Sequence, residues 1–113
     1  MKTDETRPRV VVTGIGVITS VGADVEAFWD SLVAGKSGIG PVTRFDSEGY
    51  TSRVASEVTD FEPSEHMDPK EARRNDRYTQ FAVGAAKLAV ADAALDIEQY
   101  DKTRVGVFVG SGI

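Results

Sequence analysis

The sequence predicts an α/β fold, on three observations. Two nearly continuous apolar, β-branched runs, at residues 9–13 and 104–109, read as strands buried on both faces. Each leads into a glycine turn, Gly14-Ile15-Gly16 after the first and Gly110-Ser111-Gly112 after the second. Two segments of helical periodicity lie between them, so the order is strand, helix, loop, helix, strand. That order implies parallel pairing through right-handed crossovers. A parallel sheet needs cover on both faces, and two helices supply only part of it. The expectation is an incomplete half-domain over residues 1–113, with no internal boundary and with the sequence stopping in mid-domain.

The elements follow in chain order. After the first strand and its glycine turn, residues 17–21 extend as a second short piece. Asp24 then stands as an N-cap, and Val25, Phe28, Trp29, Leu32 and Val33 recur at i, i+3, i+4, i+7 and i+8, which makes an amphipathic helix stopped at Gly35. Residues 35–68 are loop-rich, with a weak strand at 52–58. Asp68-Pro69-Lys70-Glu71 opens a second helix, with Asp at the cap, Pro at the first helical position and Glu in capping-box spacing. This helix is expected to run to Ala94. Its second half, FAVGAAKLAVADAAL, is crowded with Ala and Gly, which lets other backbone approach closely. A turn over residues 95–103 leads to the last strand.

Composition narrows the function classes. A chain of 113 residues, 41% hydrophobic and 27% charged, has the balance of a globular domain. No apolar run approaches the roughly 20 residues that span a bilayer, and MKTDETR lacks the apolar core of a signal peptide, so the cytoplasm is the expected compartment and no membrane partner is expected. Thirteen basic against eighteen acidic residues give a net charge of −5, which disfavours nonspecific nucleic-acid binding. Cysteine is absent, which removes disulfides, thiolate metal sites and a cysteine nucleophile from this chain.

Four motifs carry possible chemistry. Gly14 and Gly16 after a strand suggest a dinucleotide turn, but Thr19 stands where the third glycine belongs and the helix begins too late. A close-packed turn is the better reading, and no cofactor is expected. Ser111 fails the nucleophile-elbow spacing, because Val109 and Ile113 occupy the glycine positions. His66 lies among Glu62, Glu65 and Asp68 and reads as a solvated loop histidine, with no metal site expected. Lys70, Arg73, Arg74 and Arg77 fall at i, i+3, i+4 and i+7, so one continuous helix would carry all four cations on one face. Near a helix N-terminus that arrangement is unfavourable, and two of its pairs repel at i, i+4. Helix stability gives no reason for the stripe. Docking of an acidic partner, a solvated and internally paired face, and contacts to further chain all remain open on charge pattern alone.

The segments RVVVTGIGVITSVG, EAFWDSLVAGKSGIGPVTRFD, KEARRNDRYTQFAVGAAKLAVADAAL and RVGVFVGSGI, taken in order, resemble the N-terminal portion of the β-ketoacyl-acyl carrier protein synthases, most closely the type II elongating condensing enzymes. The resemblance spans essentially the whole chain. It implies the opening part of the first half of a thiolase-like αβαβα layered fold, working as a cytoplasmic homodimer in fatty acid biosynthesis. It also implies an acyltransferase that elongates acyl chains by decarboxylative Claisen condensation with malonyl-acyl carrier protein. The family's cysteine, two histidines and lysine would all fall beyond residue 113, so this sequence carries no catalytic residue, and His66 lies in the wrong segment to stand for either histidine. Lys70, Arg73 and Arg74 match a basic patch that receives the acidic acyl carrier protein. Ile113 matches an apolar residue lining the acyl pocket, with simple core packing as its bland alternative. An aromatic polyketide ketosynthase is a close second reading. A stand-alone carrier-protein-docking protein and a nucleotide-binding module are more distant ones.

Overall fold

The computed structural model describes residues 8–112. Its longest element, a helix at Arg77–Asp92, is the spine on which the other segments lie. In chain order the elements are α1 (Val25–Val33), β1 (Ile39–Pro41), β2 (Val54–Ser56), α2 (Pro69–Ala72) and α3 (Arg77–Asp92), with short 3-10 turns at Pro63–Glu65, Ile97–Gln99 and Lys102–Arg104. Helix and strand are mixed, in keeping with an α/β chain.

Local sequence signals set the ends of α1. The Asp24 carboxylate accepts the Ala27 N–H at 2.8 Å, which satisfies one of the amides a helix start leaves without a partner. At the other end Gly35 adopts φ +65, the left-handed conformation a glycine takes without strain. Lys36 N–H then reaches Ser31 C=O and Gly35 N–H reaches Leu32 C=O, closing a Schellman motif. The end of α3 repeats this motif, with Leu95 N–H on Val90 C=O and Ala94 N–H on Ala91 C=O, but the left-handed residue there is Ala94 at φ 47. An alanine in that region costs about 1 kcal/mol, which Gly35 avoids.

The small residues of α3 work as the sequence suggests. Residues 14–18 cross the helix so closely that a Cβ on Gly16 would sit 2.7 Å from Ala89 N and nearer still to the Ala85 carbonyl. A Cβ on Gly14 would sit 2.6 Å from Ala93 N. Gly84, buried, faces Ile18 and Phe61 with no space for a methyl group. The Ile15 N–H between the two glycines donates to the Asp92 carboxylate at 2.9 Å, which ties the crossing segment to the last turn of the helix. Gly14 and Gly16 are thus close-packed, but in a segment that crosses α3 and not in the turn expected between a strand and a helix.

Several expectations are corrected. Residues 9–13 and 104–109 make no strand pairing among the described residues, and the sheet that is present is antiparallel, with Gly40 opposite Ala55. A strand exists through its neighbours' hydrogen bonds, and apolar character alone does not supply them. Val10 is 90% exposed and Phe108 98% exposed. Thr19 and Gly22 exchange backbone hydrogen bonds in a tight turn over residues 19–22, so the second short strand expected at 17–21 is absent. The weak strand expected at 52–58 is present as β2, while β1, built on Gly40 and Pro41, carries no strand signal and is formed by its pairing with β2. The helix expected from residue 69 to Ala94 is broken at residues 73–76.

The loop between β1 and β2 closes on Glu57. The Thr43 hydroxyl donates to its carboxylate at 2.6 Å and the Thr43 N–H at 3.1 Å. These two bonds, the hydroxyl first, hold the Glu57 carboxyl below its ordinary 4.5, against a smaller opposing effect of burial. A carboxyl depressed in the folded state stabilises the fold above its unfolded value, and that contribution is lost as pH falls through the folded value. The Glu57 carboxyl carbon, followed by NMR through an acid titration, is expected to titrate below 4.5, and Thr43→Val is expected to move it back up.

The described residues do not close a full core. Among the described residues, Phe61 and Ala72 are the buried apolar side chains, at 6% and 8% exposure, and none is fully buried. The accessible surface is 9688 Å², where a compact chain of 12.1 kDa would expose roughly 6,000 Å². The radius of gyration is 18.2 Å, against about 13 Å for a compact domain of this length.

Candidate functional site

The structure divides the predicted cation stripe in two. Lys70 lies on α2, Arg73 is its C-cap, Arg74 follows in the turn, and all three side chains are exposed. Among the described residues no carboxylate lies within ion-pair distance of any of them, so the internally paired face does not form: neither Glu71 pairs with Arg74 nor Asp76 with Arg73. Arg77 opens α3 and turns the other way, into the protein. A single face carrying four cations is therefore replaced by an outward group of three and an inward fourth, and the Arg73/Arg77 repulsion of a continuous helix is relieved.

Arg77 is held by aromatic faces and backbone carbonyls. Its guanidinium lies 5.1 Å from the Phe61 ring centroid and 4.8 Å from that of Phe81. One terminal nitrogen donates to Val58 C=O at 3.2 Å and Phe61 C=O at 3.4 Å, which binds the loop before the Pro63–Glu65 turn to the start of α3. Burial, and then the nearby Arg44 guanidinium, lower its proton affinity, with Glu62 opposing; an arginine remains charged under that pressure. His66 belongs to the same cluster. Its ring stacks on Phe61 at 5.1 Å with 9° between planes, so it is half-buried and packed, contrary to the solvated loop residue expected from its acidic neighbours. The Pro63–Glu65 turn brings it back over Phe61.

The break between α2 and α3 has a defined set of bonds. Asp68 accepts the Lys70 N–H at 2.8 Å and starts α2. At the far end the Asn75 side chain donates to Glu71 C=O at 2.9 Å, and the Gln80 amide donates to Ala72 C=O at 2.7 Å and Asn75 C=O at 3.1 Å. The Ala72 carbonyl, at the end of α2, is thereby satisfied from α3. Sequence reasoning passed over Arg77's separate role and Gln80. The one sequence signal for the break is Asn75-Asp76, two cap-forming residues in a supposed helix interior.

A cleft of about 310 Å³ lies on the far side of Phe81, lined by Tyr78, Phe81, Ala82, Ala85, Val109, Gly110 and Ser111. Ile113 lies outside the described residues. No helix among the described residues is long and apolar enough to cross a membrane.

A family model described as "Beta-ketoacyl synthase, N-terminal domain" matches residues 7–113. The chain belongs to the β-ketoacyl synthase family. The "3-oxoacyl-[acyl-carrier-protein] synthase 2" of Staphylococcus aureus (strain COL) is 47% identical over 105 residues, covering 93% of this chain and 25% of that protein. The protein of the same name from Coxiella burnetii (strain RSA 493 / Nine Mile phase I) is 45% identical over 105 residues, with the same coverage. A solved structure, "The ishigamide ketosynthase/chain length factor", superposes with a TM-score of 0.67 at 45% identity, over 78% of this chain and 22% of that one. This β-ketoacyl synthase chain therefore spans about a quarter of the length of the curated relatives it matches.

Proposed function

We propose that the chain is the opening part of the first half of a thiolase-like αβαβα subunit, a cytoplasmic, homodimeric 3-oxoacyl-acyl carrier protein synthase that elongates fatty acyl chains. The observation that carries this is 45–47% identity, across 93% of the chain, to enzymes named 3-oxoacyl-[acyl-carrier-protein] synthase 2. In the reaction an acyl group moves from its carrier thiol to a cysteine, forming one thioester as another breaks. Malonyl-acyl carrier protein loses CO₂, and the resulting carbanion attacks the acyl thioester. A carbon–carbon bond forms as the cysteine thiolate leaves. The sequence contains no cysteine, so the 113-residue chain by itself performs no such condensation.

Lys70, Arg73 and Arg74 dock the acidic acyl carrier protein. Their outward, unpaired arrangement among the described residues supports this, because it removes internal pairing, one of the two competing accounts of the stripe; contact with further chain is the other. Ile113 lines the acyl pocket, and the cleft beside Val109 and Ser111 supports that reading. The exposed apolar runs at residues 10–12 and 107–109 are faces that the rest of the subunit covers, which accounts for the large exposed surface.

The test is condensation by the full-length polypeptide carrying this segment, with an acyl-acyl carrier protein and malonyl-acyl carrier protein as substrates. A chain extended once, as the 3-oxoacyl thioester, supports the reading. A second reading is an aromatic polyketide ketosynthase, for which the likeness to a ketosynthase/chain length factor is the weaker support. Repeated extension to poly-β-keto products would select it.

A further inference from the structure

The break between α2 and α3 decides which way each cation points, and the Gln80 side chain bonds across it at two carbonyls. The Gln80 side chain uses both of its N–H donors there. Its NH₂ gives one hydrogen to Ala72 C=O and one to Asn75 C=O, while its oxygen faces an Arg77 N–H at 3.4 Å. The two carbonyls flank Arg73 and Arg74 in the chain, and Ala72 is itself 8% exposed, so α2 is pinned at a buried point. Arg77 fixes the other side by gripping Val58 and Phe61. Without the Gln80 amide the two carbonyls lose their donors, and the residues carrying the exposed guanidinium groups are released from α3.

We infer that Gln80 is a positioning residue for carrier-protein docking, acting through Arg73 and Arg74 and touching no substrate. This rests on the docking role given to Lys70, Arg73 and Arg74 above. Three preset cations present a fixed charge pattern to an acidic surface, whereas a loosened turn must be ordered on each encounter.

The test uses Gln80→Ala and Gln80→Met in the full-length polypeptide, with acyl-acyl carrier protein and with the same acyl group as an N-acetylcysteamine thioester. Both variants are expected to raise KM for the carrier-bound substrate about three- to tenfold, with kcat and the rate on the small thioester unchanged. The Met variant keeps the volume of the side chain, so it separates loss of the amide from loss of packing. Equal losses on both substrates in both variants would make Gln80 merely structural and overturn the inference, as would an unchanged KM. The variant Lys70→Glu/Arg73→Glu/Arg74→Glu is measured alongside. If it raises KM while the Gln80 variants do not, the positioning role alone fails; if it too leaves KM unchanged, the docking role fails with it.

Discussion

Charge reversal at Lys70, Arg73 and Arg74 is expected to lower kcat/KM for acyl-acyl carrier protein by about 100-fold in the full-length polypeptide, while leaving turnover of a carrier-free thioester within about twofold. Each exposed cation facing an acidic partner contributes roughly 0.2–1 kcal/mol, and reversal replaces that attraction with repulsion of similar size. Three such changes together reach about 3 kcal/mol, or two decades. The exposed position of all three side chains also predicts that the wild-type KM rises steeply with ionic strength and that the reversed variant loses this dependence. The comparison of substrates decides the matter, because misfolding would impair both alike. Equal activity of wild type and variant on the carrier-bound substrate would remove the docking role.

Gly16→Ala is expected to destabilise the full-length polypeptide by about 3 kcal/mol, the upper end of the usual overpacking range. The added Cβ would meet Ala89 N at 2.7 Å, and the Ala85 carbonyl closer still, so it meets backbone that cannot rotate aside. Relief requires moving residues 14–18 away from α3, which strains the Ile15 to Asp92 bond and the seat of Ile18 against Gly84. Gly40→Ala is the control. Nothing lies within 4 Å of a Cβ there and its φ is ordinary, so it is expected to change stability by about 0.5 kcal/mol or less. Urea unfolding of both variants measures the contrast, and similar midpoints would show that the crossing is not close-packed in solution.

The features legible in the sequence were those fixed by a few neighbouring residues. Asp24 and Gly35 bound α1 because a cap bond spans three residues and a left-handed glycine acts alone. The Ala-rich run announced a helix approached closely by other backbone, and Gly14 and Gly16 are its partners. What was illegible depends on contacts distant in sequence. Arg77 matches the other three cations in type and spacing, and only the arrival of Phe61, sixteen residues earlier, turns it inward. The helix break contains neither glycine nor proline and is held by Gln80, eight residues beyond Ala72. His66 looked solvated because its neighbours are acidic, whereas its place is set by stacking on Phe61. The apolar runs at 9–13 and 104–109 have strand character, but the described residues offer them no partner to pair with.

The most direct measurement is the mass of the product when the full-length polypeptide is given one saturated acyl-acyl carrier protein, excess malonyl-acyl carrier protein and no reductase. The account predicts a single extension, the acyl chain longer by two carbons as its 3-oxo thioester, with one CO₂ released per product. A polypeptide that binds acyl carrier protein through Lys70, Arg73 and Arg74 yet forms no carbon–carbon bond, or one that extends the chain repeatedly to poly-β-keto thioesters, would contradict it.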